Sequence, residues 1–177
     1  MFKMKSSINL SLDGIKYEWG CGNNKRQGFV GVDIDEGKRC DIVCDRNGFD
    51  QFPLNVASEI FSSHFIEHLE YYEVQEILTL WGKLLKHGGN LYICFPDLRK
   101  VDPLANSKIA LNFAYAETRK GYDIHKSFWS SWLMCKFLKE ANYTNIREIT
   151  STEEAIGLHC QSIGTSGWNT LIGCVNP

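Results

Sequence analysis

The chain lacks the features that mark several large classes of protein. Its 19 basic and 21 acidic residues leave a net charge of −2, without the basic excess of a nucleic-acid-binding surface. No apolar run is long enough to span a membrane, and no apolar segment of a signal peptide follows the first lysines. We therefore expect a cytoplasmic protein that binds neither nucleic acid nor membrane.

Closely spaced cysteine pairs are also missing. The seven cysteines stand at positions 21, 40, 44, 94, 135, 160 and 174, and none forms a C-x-x-C pair. This spacing argues against a zinc knuckle or a thioredoxin-like site. Several cysteines lie in apolar runs, which favours buried free thiols in a reducing compartment.

Hydrophobic periodicity predicts one α/β domain over residues 1–177. Helical spacing predicts helices over 70–86, about 104–118 and 127–141. Apolar and alternating runs predict strands at 15–19, 29–34, 41–44, 58–63, 91–95, and near 145–150 and 168–175. Strands and helices that alternate in this way imply a doubly wound, mostly parallel sheet with helices on both faces.

Polar side chains stand where four of the predicted strands end. They are Asp33, Asp45, His64 and Asp97. Ligands of such sheets bind at the carboxyl ends of the strands, so we expect these side chains to lie along one binding edge.

A glycine turn precedes the first of these acids. In Glu18-Trp19-Gly20-Cys21-Gly22, the two glycines allow a sharp turn and close approach of a ligand to the backbone. Asp33 closes the next strand, where a carboxylate can accept hydrogen bonds from both hydroxyls of a ribose. The pattern predicts a site for a nucleoside-bearing ligand.

The spacing argues against a dinucleotide. The third glycine of G-x-G-x-x-G is replaced by Lys25, and Asp33 follows Gly22 by eleven residues, whereas the dinucleotide fingerprint places its acid about 20 residues on. The loop between the two strands leaves room for a single helical turn at most. A pyrophosphate requires the N-terminus of a helix, whereas S-adenosylmethionine carries no phosphate and tolerates its loss.

At this point the sequence resembles the class I S-adenosylmethionine-dependent methyltransferases, in particular the small type-11-like group. The resemblance implies a Rossmann-like fold with a shortened first helix and methyl transfer from S-adenosyl-L-methionine to a small acceptor. It divides the single domain into a cofactor-binding half, 15–97, and an acceptor lid with the last strands, 98–177. The matching segments are 18–22, 31–35, 41–45, 62–69 and 84–93.

The resemblance also implies roles for individual residues. Cofactor contacts are expected from Glu18, Gly20, Cys21, Gly22, Asp33, Ile34, Asp45 and Ser63. The glycine turn would line the methionine end, Asp33 would hold the ribose and Asp45 the adenine. If the acceptor is a hydroxyl, it needs a base within hydrogen-bond reach. His64 is the first candidate, with Asp97 or His125 in reserve.

Two alternatives stay open. The family often has a third glycine where this chain has Asn24, and together with the shortened helix this suggests a cofactor-binding module without turnover. The second alternative starts from His64-Phe65-Ile66-Glu67-His68, which matches H-x-x-E-H, a metalloprotease signature in which both histidines share a helix face. A milder version is a metal-assisted methyltransferase that uses His64, Glu67 and His68, with His125 as an extra ligand. Our main interpretation includes no metal ligand.

Overall fold

A computed structural model describes residues 1–100, 124–150 and 169–177. Within these ranges eight strands form one mixed sheet. The strands are β1 (Phe2–Met4), β2 (Ile15–Trp19), β3 (Val30–Asp33), β4 (Ile42–Cys44), β5 (Ala57–Ser63), β6 (Leu85–Pro96), β7 (Thr144–Glu148) and β8 (Asn169–Val175). The helices are α1 (Tyr71–Leu84), α2 (Ser131–Glu140) and three 3₁₀ helices, Arg46–Gln51, Ile66–His68 and Leu98–Lys100.

The sheet is mostly parallel, as the alternation of elements predicts. Its strand order is β1-β4-β3-β2-β5-β6-β8-β7. The run from β4 to β6 is parallel throughout, whereas β1, β7 and β8 pair antiparallel to their neighbours. The predicted helix at 104–118 lies outside the described residues.

The direction of winding reverses between β2 and β5. From β2 the chain moves outward through β3 and β4, and it then returns to place β5 on the other side of β2. Such a switch point opens a crevice at the carboxyl ends of the two strands, where ligands of open α/β sheets bind. The glycine turn follows β2 and His64 follows β5, so both border this crevice.

The boundary between α1 and β6 differs from the prediction, which continued the helix over 70–86. The backbone N–H of Asn55 donates to the Lys83 carbonyl (2.9 Å), and that of Val56 donates to the Leu84 carbonyl (3.1 Å). The segment before β5 thus binds the last carbonyls of α1, so the helix needs no glycine cap and Leu85 already begins β6. This tertiary contact outweighs the helical spacing of apolar residues that predicted a longer helix.

The second helix begins later than predicted. Ser130 is its N-cap, with a side-chain oxygen that accepts a hydrogen bond from the Leu133 N–H (3.2 Å). Residues 127–129 remain extended because Trp129 forms a bridge with Asp97. A serine at this position is a strong helix start, and it prevails over the apolar periodicity that suggested a start at 127.

Both α-helices pack on the same hydrophobic core. Apolar side chains of α1 and α2 form one buried cluster with alternate residues of the central strands, among them Tyr17, Ile60, Leu91, Ile93 and Ile172. A smaller cluster on the other face contains Phe61, Cys94, Ile149 and Leu171. In the described ranges this second face is covered by the loop after β2, through Phe29 and Arg26.

The cysteines of the described ranges agree with the expectation of buried free thiols. All six cysteines of the described ranges are free, and five of them are buried. Among the described helices, none combines the length and apolar character that crossing a membrane would require.

Candidate active site

The glycine turn after β2 is shaped by two left-handed residues. Gly20 has φ +69° and Gly22 has φ +55°. A Cβ atom on Gly20 would lie 2.8 Å from the Phe65 side chain, whereas one on Gly22 would meet nothing within 4 Å. Gly20 therefore allows the turn to pack against the segment after β5. Gly22 leaves open space on the side where a Cβ atom would stand, while its backbone N–H and carbonyl are bonded to Asp33 and to the Arg39 N–H.

Asp33 is joined to this turn by its carboxylate. Oδ2 accepts a hydrogen bond from the Gly22 N–H (2.8 Å), and Oδ1 accepts one from the Asp35 N–H (3.0 Å). Each carboxylate oxygen can accept a second bond, so the half-buried Asp33 retains capacity for two ribose hydroxyls. Beside it, Ile34 exposes 58% of its surface and offers an apolar contact.

Glu18 is buried and stabilises the far end of the loop. Its Oε2 accepts a hydrogen bond from the Arg26 N–H (2.6 Å), and its Oε1 lies 3.7 Å from Nε of the same arginine. Burial raises the pKa of Glu18, and Arg26 partly opposes this rise. The guanidinium carbon of Arg26 lies 3.0 Å from the Phe61 ring centre. The methionine contact of Glu18 stays a prediction, and no sequence pattern marks Arg26.

Lys25, at the position of the missing glycine, fills the space beside β3. Its Nζ lies 2.8 Å from an Asp41 oxygen that also accepts a hydrogen bond from the Gly31 N–H (2.8 Å). A Cβ atom on Gly31 would lie 2.8 Å from the Lys25 Cδ. Residues 20–29, all described, contain no helix. The expectation of a first helix reduced to a turn or absent is thus confirmed.

Asp45 has partners of its own. Its carboxylate caps the 3₁₀ helix Arg46–Gln51 by accepting a hydrogen bond from the Asn47 N–H (2.9 Å), and it forms an ion pair with the Met1 amine. The hydrogen bond from this amine lowers the pKa of Asp45. The structure does not test its adenine contact, which remains a prediction.

Cys21 and Ser63 complete the predicted cofactor set. Cys21 packs with Cys40 and Val43 in a small buried cluster, and burial raises the pKa of its thiol. Ser63 is half-buried at the end of β5, opposite Cys94 of β6. Their cofactor contacts are untested predictions.

His64 leaves β5 in a left-handed conformation, with φ +52°. Its backbone N–H donates to the Cys94 carbonyl (3.0 Å), and its Nδ1 lies 3.1 Å from Oε1 of Glu67. The Glu67 side chain is only 2% exposed. Although burial raises the pKa of Glu67, the hydrogen bond from His64 and the histidine charges lower it below its usual value.

The second oxygen of Glu67 differs from the first in its bonding. Oε2 is buried and has no hydrogen-bond partner among the described residues. Ligand atoms of Glu67, His68 and His125 all lie within 4.8 Å of one another, and the two imidazole rings are 5.1 Å apart. Of the predicted metal-assisted cluster, Glu67 and His68 thus converge with His125, whereas His64 contacts Oε1 of Glu67 and is not part of this group.

The backbone geometry contradicts the metalloprotease interpretation of this segment. His64 lies before the 3₁₀ helix Ile66–His68, in a left-handed conformation that no α-helix contains. His64 and His68 therefore do not share the face of an α-helix, which the H-x-x-E-H arrangement requires.

Asp97 makes its contacts elsewhere. Its fully buried carboxylate accepts five hydrogen bonds, from Arg99 N, Nε and Nη2, from Ser131 N and from Thr170 Oγ1. Burial raises the pKa of Asp97, but the bonds from Arg99 and Thr170 outweigh it and lower the pKa. These contacts join the ends of β6, α2 and β8. A role of Asp97 as a base is untested, and its oxygens are engaged.

Solved structures resemble this architecture closely. A methyltransferase of Archaeoglobus fulgidus described as S-adenosylmethionine-dependent superposes with a TM-score of 0.64 at 18% identity, covering 94% of this chain and 87% of that one. The chain has the fold of the class I S-adenosylmethionine-dependent methyltransferases. A Mesorhizobium loti enzyme with the same description gives a TM-score of 0.60 at 12% identity, covering 95% and 93%.

A third neighbour is larger than this chain. Phosphoethanolamine N-methyltransferase 2 of Haemonchus contortus, solved with S-adenosyl-L-methionine, gives a TM-score of 0.64 at 15% identity, covering 94% of this chain and 49% of that one. No protein-family profile and no curated protein matches the sequence. At these identities the likeness is one of fold, and the type-11-like subgroup stays a prediction.

Proposed function

We propose that this protein transfers the methyl group of S-adenosyl-L-methionine to a small acceptor molecule. The observation that supports it best is the hydrogen bond between the Gly22 N–H and Oδ2 of Asp33 (2.8 Å), beside the switch point of the sheet. It fixes the glycine turn beside a carboxylate with spare acceptor capacity. The carboxylate would accept the hydroxyls of a ribose, and the space beside Gly22 would take an amino-acid tail.

The cofactor would lie across the ends of β2 and β3. Asp33 would accept the ribose hydroxyls, and the exposed Ile34 would contact the adenine. The methionine end would lie beside Gly22, where nothing lies within 4 Å of the position of a Cβ atom. The absent first helix agrees with a ligand that carries no phosphate.

Methyl transfer is an in-line displacement at carbon. The acceptor's lone pair would form the new bond to the methyl carbon while the carbon–sulfur bond breaks. The electron pair of the broken bond would stay on the sulfur, which becomes a thioether. The protein contributes chiefly proximity and orientation. A hydroxyl acceptor would also lose a proton to a base, for which we propose His64 at the end of β5, with a side chain 42% exposed.

Partners and compartment belong to the same proposal. The balanced charge supports a small acceptor rather than a nucleic acid, and the free thiols support a cytoplasmic location.

Calorimetric titration with S-adenosylhomocysteine tests the cofactor assignment. We expect saturable binding by the wild type, and absence of binding would overturn the proposal. Transfer of a labelled methyl group to a panel of hydroxyl, amine and thiol acceptors then tests turnover.

A second candidate is the binding module without turnover. It is favoured by the loop of residues 20–29, in which Lys25 pairs with Asp41 where the larger family has a helix. Binding of S-adenosylhomocysteine with no transfer to any acceptor of the panel would support this alternative. Turnover of any one acceptor would refute it.

A further inference from the structure

We propose that Glu67, His68 and His125 bind a divalent transition-metal cation, with Zn²⁺ as the best match. Their ligand atoms lie within 4.8 Å of one another at the carboxyl edge of the sheet. The site needs neither cofactor nor acceptor, so the proposal stands independently of methyl transfer.

The carboxylate of Glu67 carries the argument. Its side chain is 2% exposed, and Oε2 has no hydrogen-bond partner among the described residues. A buried carboxylate oxygen without a partner is costly and rare in folded proteins. His64 Nδ1 lies 3.1 Å from Oε1, so Oε2 is the oxygen of this carboxylate that lacks a described partner. A cation would supply the missing interaction.

A backbone contact sets the tautomer of the His68 imidazole. Its Nδ1 lies 3.3 Å from the carbonyl oxygen of Ile124. Since a carbonyl only accepts, this contact requires the proton on Nδ1 and leaves the lone pair on Nε2. A ring nitrogen fixed by a backbone carbonyl while the other binds the ion is the usual arrangement of metal-ligating histidines.

His125 is brought to the site by backbone hydrogen bonds. The N–H groups of Lys126 and Ser127 donate to the carbonyl oxygen of Glu67 (2.8 and 3.2 Å). The Ser127 hydroxyl donates to the Ile66 carbonyl (3.2 Å). These bonds hold the two segments together next to the ligand atoms.

The ligand set selects the class of metal. Two imidazole nitrogens and one carboxylate oxygen form the set of many catalytic zinc sites, and three protein ligands leave a coordination position open. Mg²⁺ and Ca²⁺ prefer sites made of oxygen atoms alone. The proposal therefore commits to Zn²⁺, with Co²⁺ as its spectroscopic substitute.

The test is a titration of the full chain, without a polyhistidine tag and after treatment with a chelator, with Zn²⁺ alone. We expect one ion per chain. We expect Glu67→Gln, His68→Ala and His125→Ala each to weaken binding by more than the ~10–100-fold typical of outer-shell residues. His64→Asn, which suits the left-handed backbone, should fall within that outer-shell range. His87→Ala, at an exposed position outside the cluster, is the matched control and should leave affinity unchanged.

The Co²⁺ spectrum of the wild type identifies the ligand atoms directly, so the test does not depend only on variants that fold. It also shows whether the cysteines bind the ion instead. The wild type should show the bands of nitrogen and oxygen ligands without a thiolate charge-transfer band. The proposal is overturned if the wild type binds no Zn²⁺, if thiolate bands dominate, or if folded His68→Ala and His125→Ala keep wild-type affinity. S-adenosylhomocysteine titrated into the same samples separates this failure from failure of the cofactor assignment.

Discussion

The carboxyl edge of the sheet has two halves that differ in how their carboxylates are bonded. In the cofactor half, after β2 and β3, Glu18 and Asp33 accept hydrogen bonds from backbone N–H groups of the loop. In the histidine half, after β5, Glu67 is bonded through one oxygen, while the other is buried without a described partner. The first half is organised by the chain itself, whereas the second contains a buried oxygen for which the described residues provide no partner.

The largest expected effect concerns the stability of the cofactor half. Glu18→Ala would leave Arg26, whose side chain is 8% exposed, without its carboxylate. Removing one partner of a buried ion pair costs about 3–5 kcal/mol in the free energy of unfolding. Urea denaturation measures this change.

The matched control uses the exposed pair of Lys136 and Glu140, whose side chains are 58% and 51% exposed. Glu140→Ala should change the unfolding free energy by about 0.5 kcal/mol or less. Equal effects of the two substitutions would contradict the view that Glu18 organises the loop.

Asp97 extends the comparison to a carboxylate at this edge whose two oxygens are both bonded. Because the folded state lowers its pKa, its contribution is complete above the unfolded pKa of about 3.9 and is lost as the pH falls through the folded pKa. Asp97→Asn should cost about 1–3 kcal/mol at neutral pH and flatten the dependence of stability on pH in the acid range.

Urea denaturation over a series of pH values checks this prediction. Asp13→Asn, at a side chain 82% exposed, should leave the profile unchanged. A variant profile as steep as that of the wild type would show that Asp97 does not bind its proton with a lowered pKa.

Alanine substitutions at two glycines should have a smaller effect on stability, and they distinguish ligand contact from backbone strain. Gly14 and Gly22 are both left-handed, and a Cβ atom on either would meet nothing within 4 Å. Alanine at either position should cost about 1–2 kcal/mol of stability. Only Gly22→Ala should also weaken S-adenosylhomocysteine binding, by about tenfold or more, because its methyl group occupies the proposed ligand space. Equal calorimetric affinities of the two variants would argue against that position for the ligand.

The geometry of the glycine turn was largely predictable from the sequence because its determinants are local, whereas the cofactor contacts stay predictions. Gly20, Gly22 and Asp33 lie within one strand–turn–strand unit, and the structure joins the turn to Asp33. The apolar spacing of α1 is equally local, but its end was not predicted, since the backbone of Asn55 and Val56 decides it.

The histidine half could be predicted only in part. Glu67 and His68 are neighbours in the sequence, whereas His125 reaches them because the backbone of Lys126 and Ser127 bonds to Glu67. No periodicity encodes such a return of the chain. Arg26, the partner of Glu18, lies only eight residues further along the chain, but no sequence pattern marks it.

The most direct test of two separable halves uses two ligands and two variants beside the wild type. S-adenosylhomocysteine and Zn²⁺ are titrated separately into wild type, Asp33→Ala and His125→Ala. We expect Asp33→Ala to lose at least about 100-fold in S-adenosylhomocysteine affinity, as loss of charge-assisted hydrogen bonds of about 1.5–3 kcal/mol each implies, and to keep Zn²⁺ affinity. His125→Ala should show the reverse. A wild type that does not bind S-adenosylhomocysteine, or a folded variant that loses both ligands together, would contradict two separable halves of one binding edge.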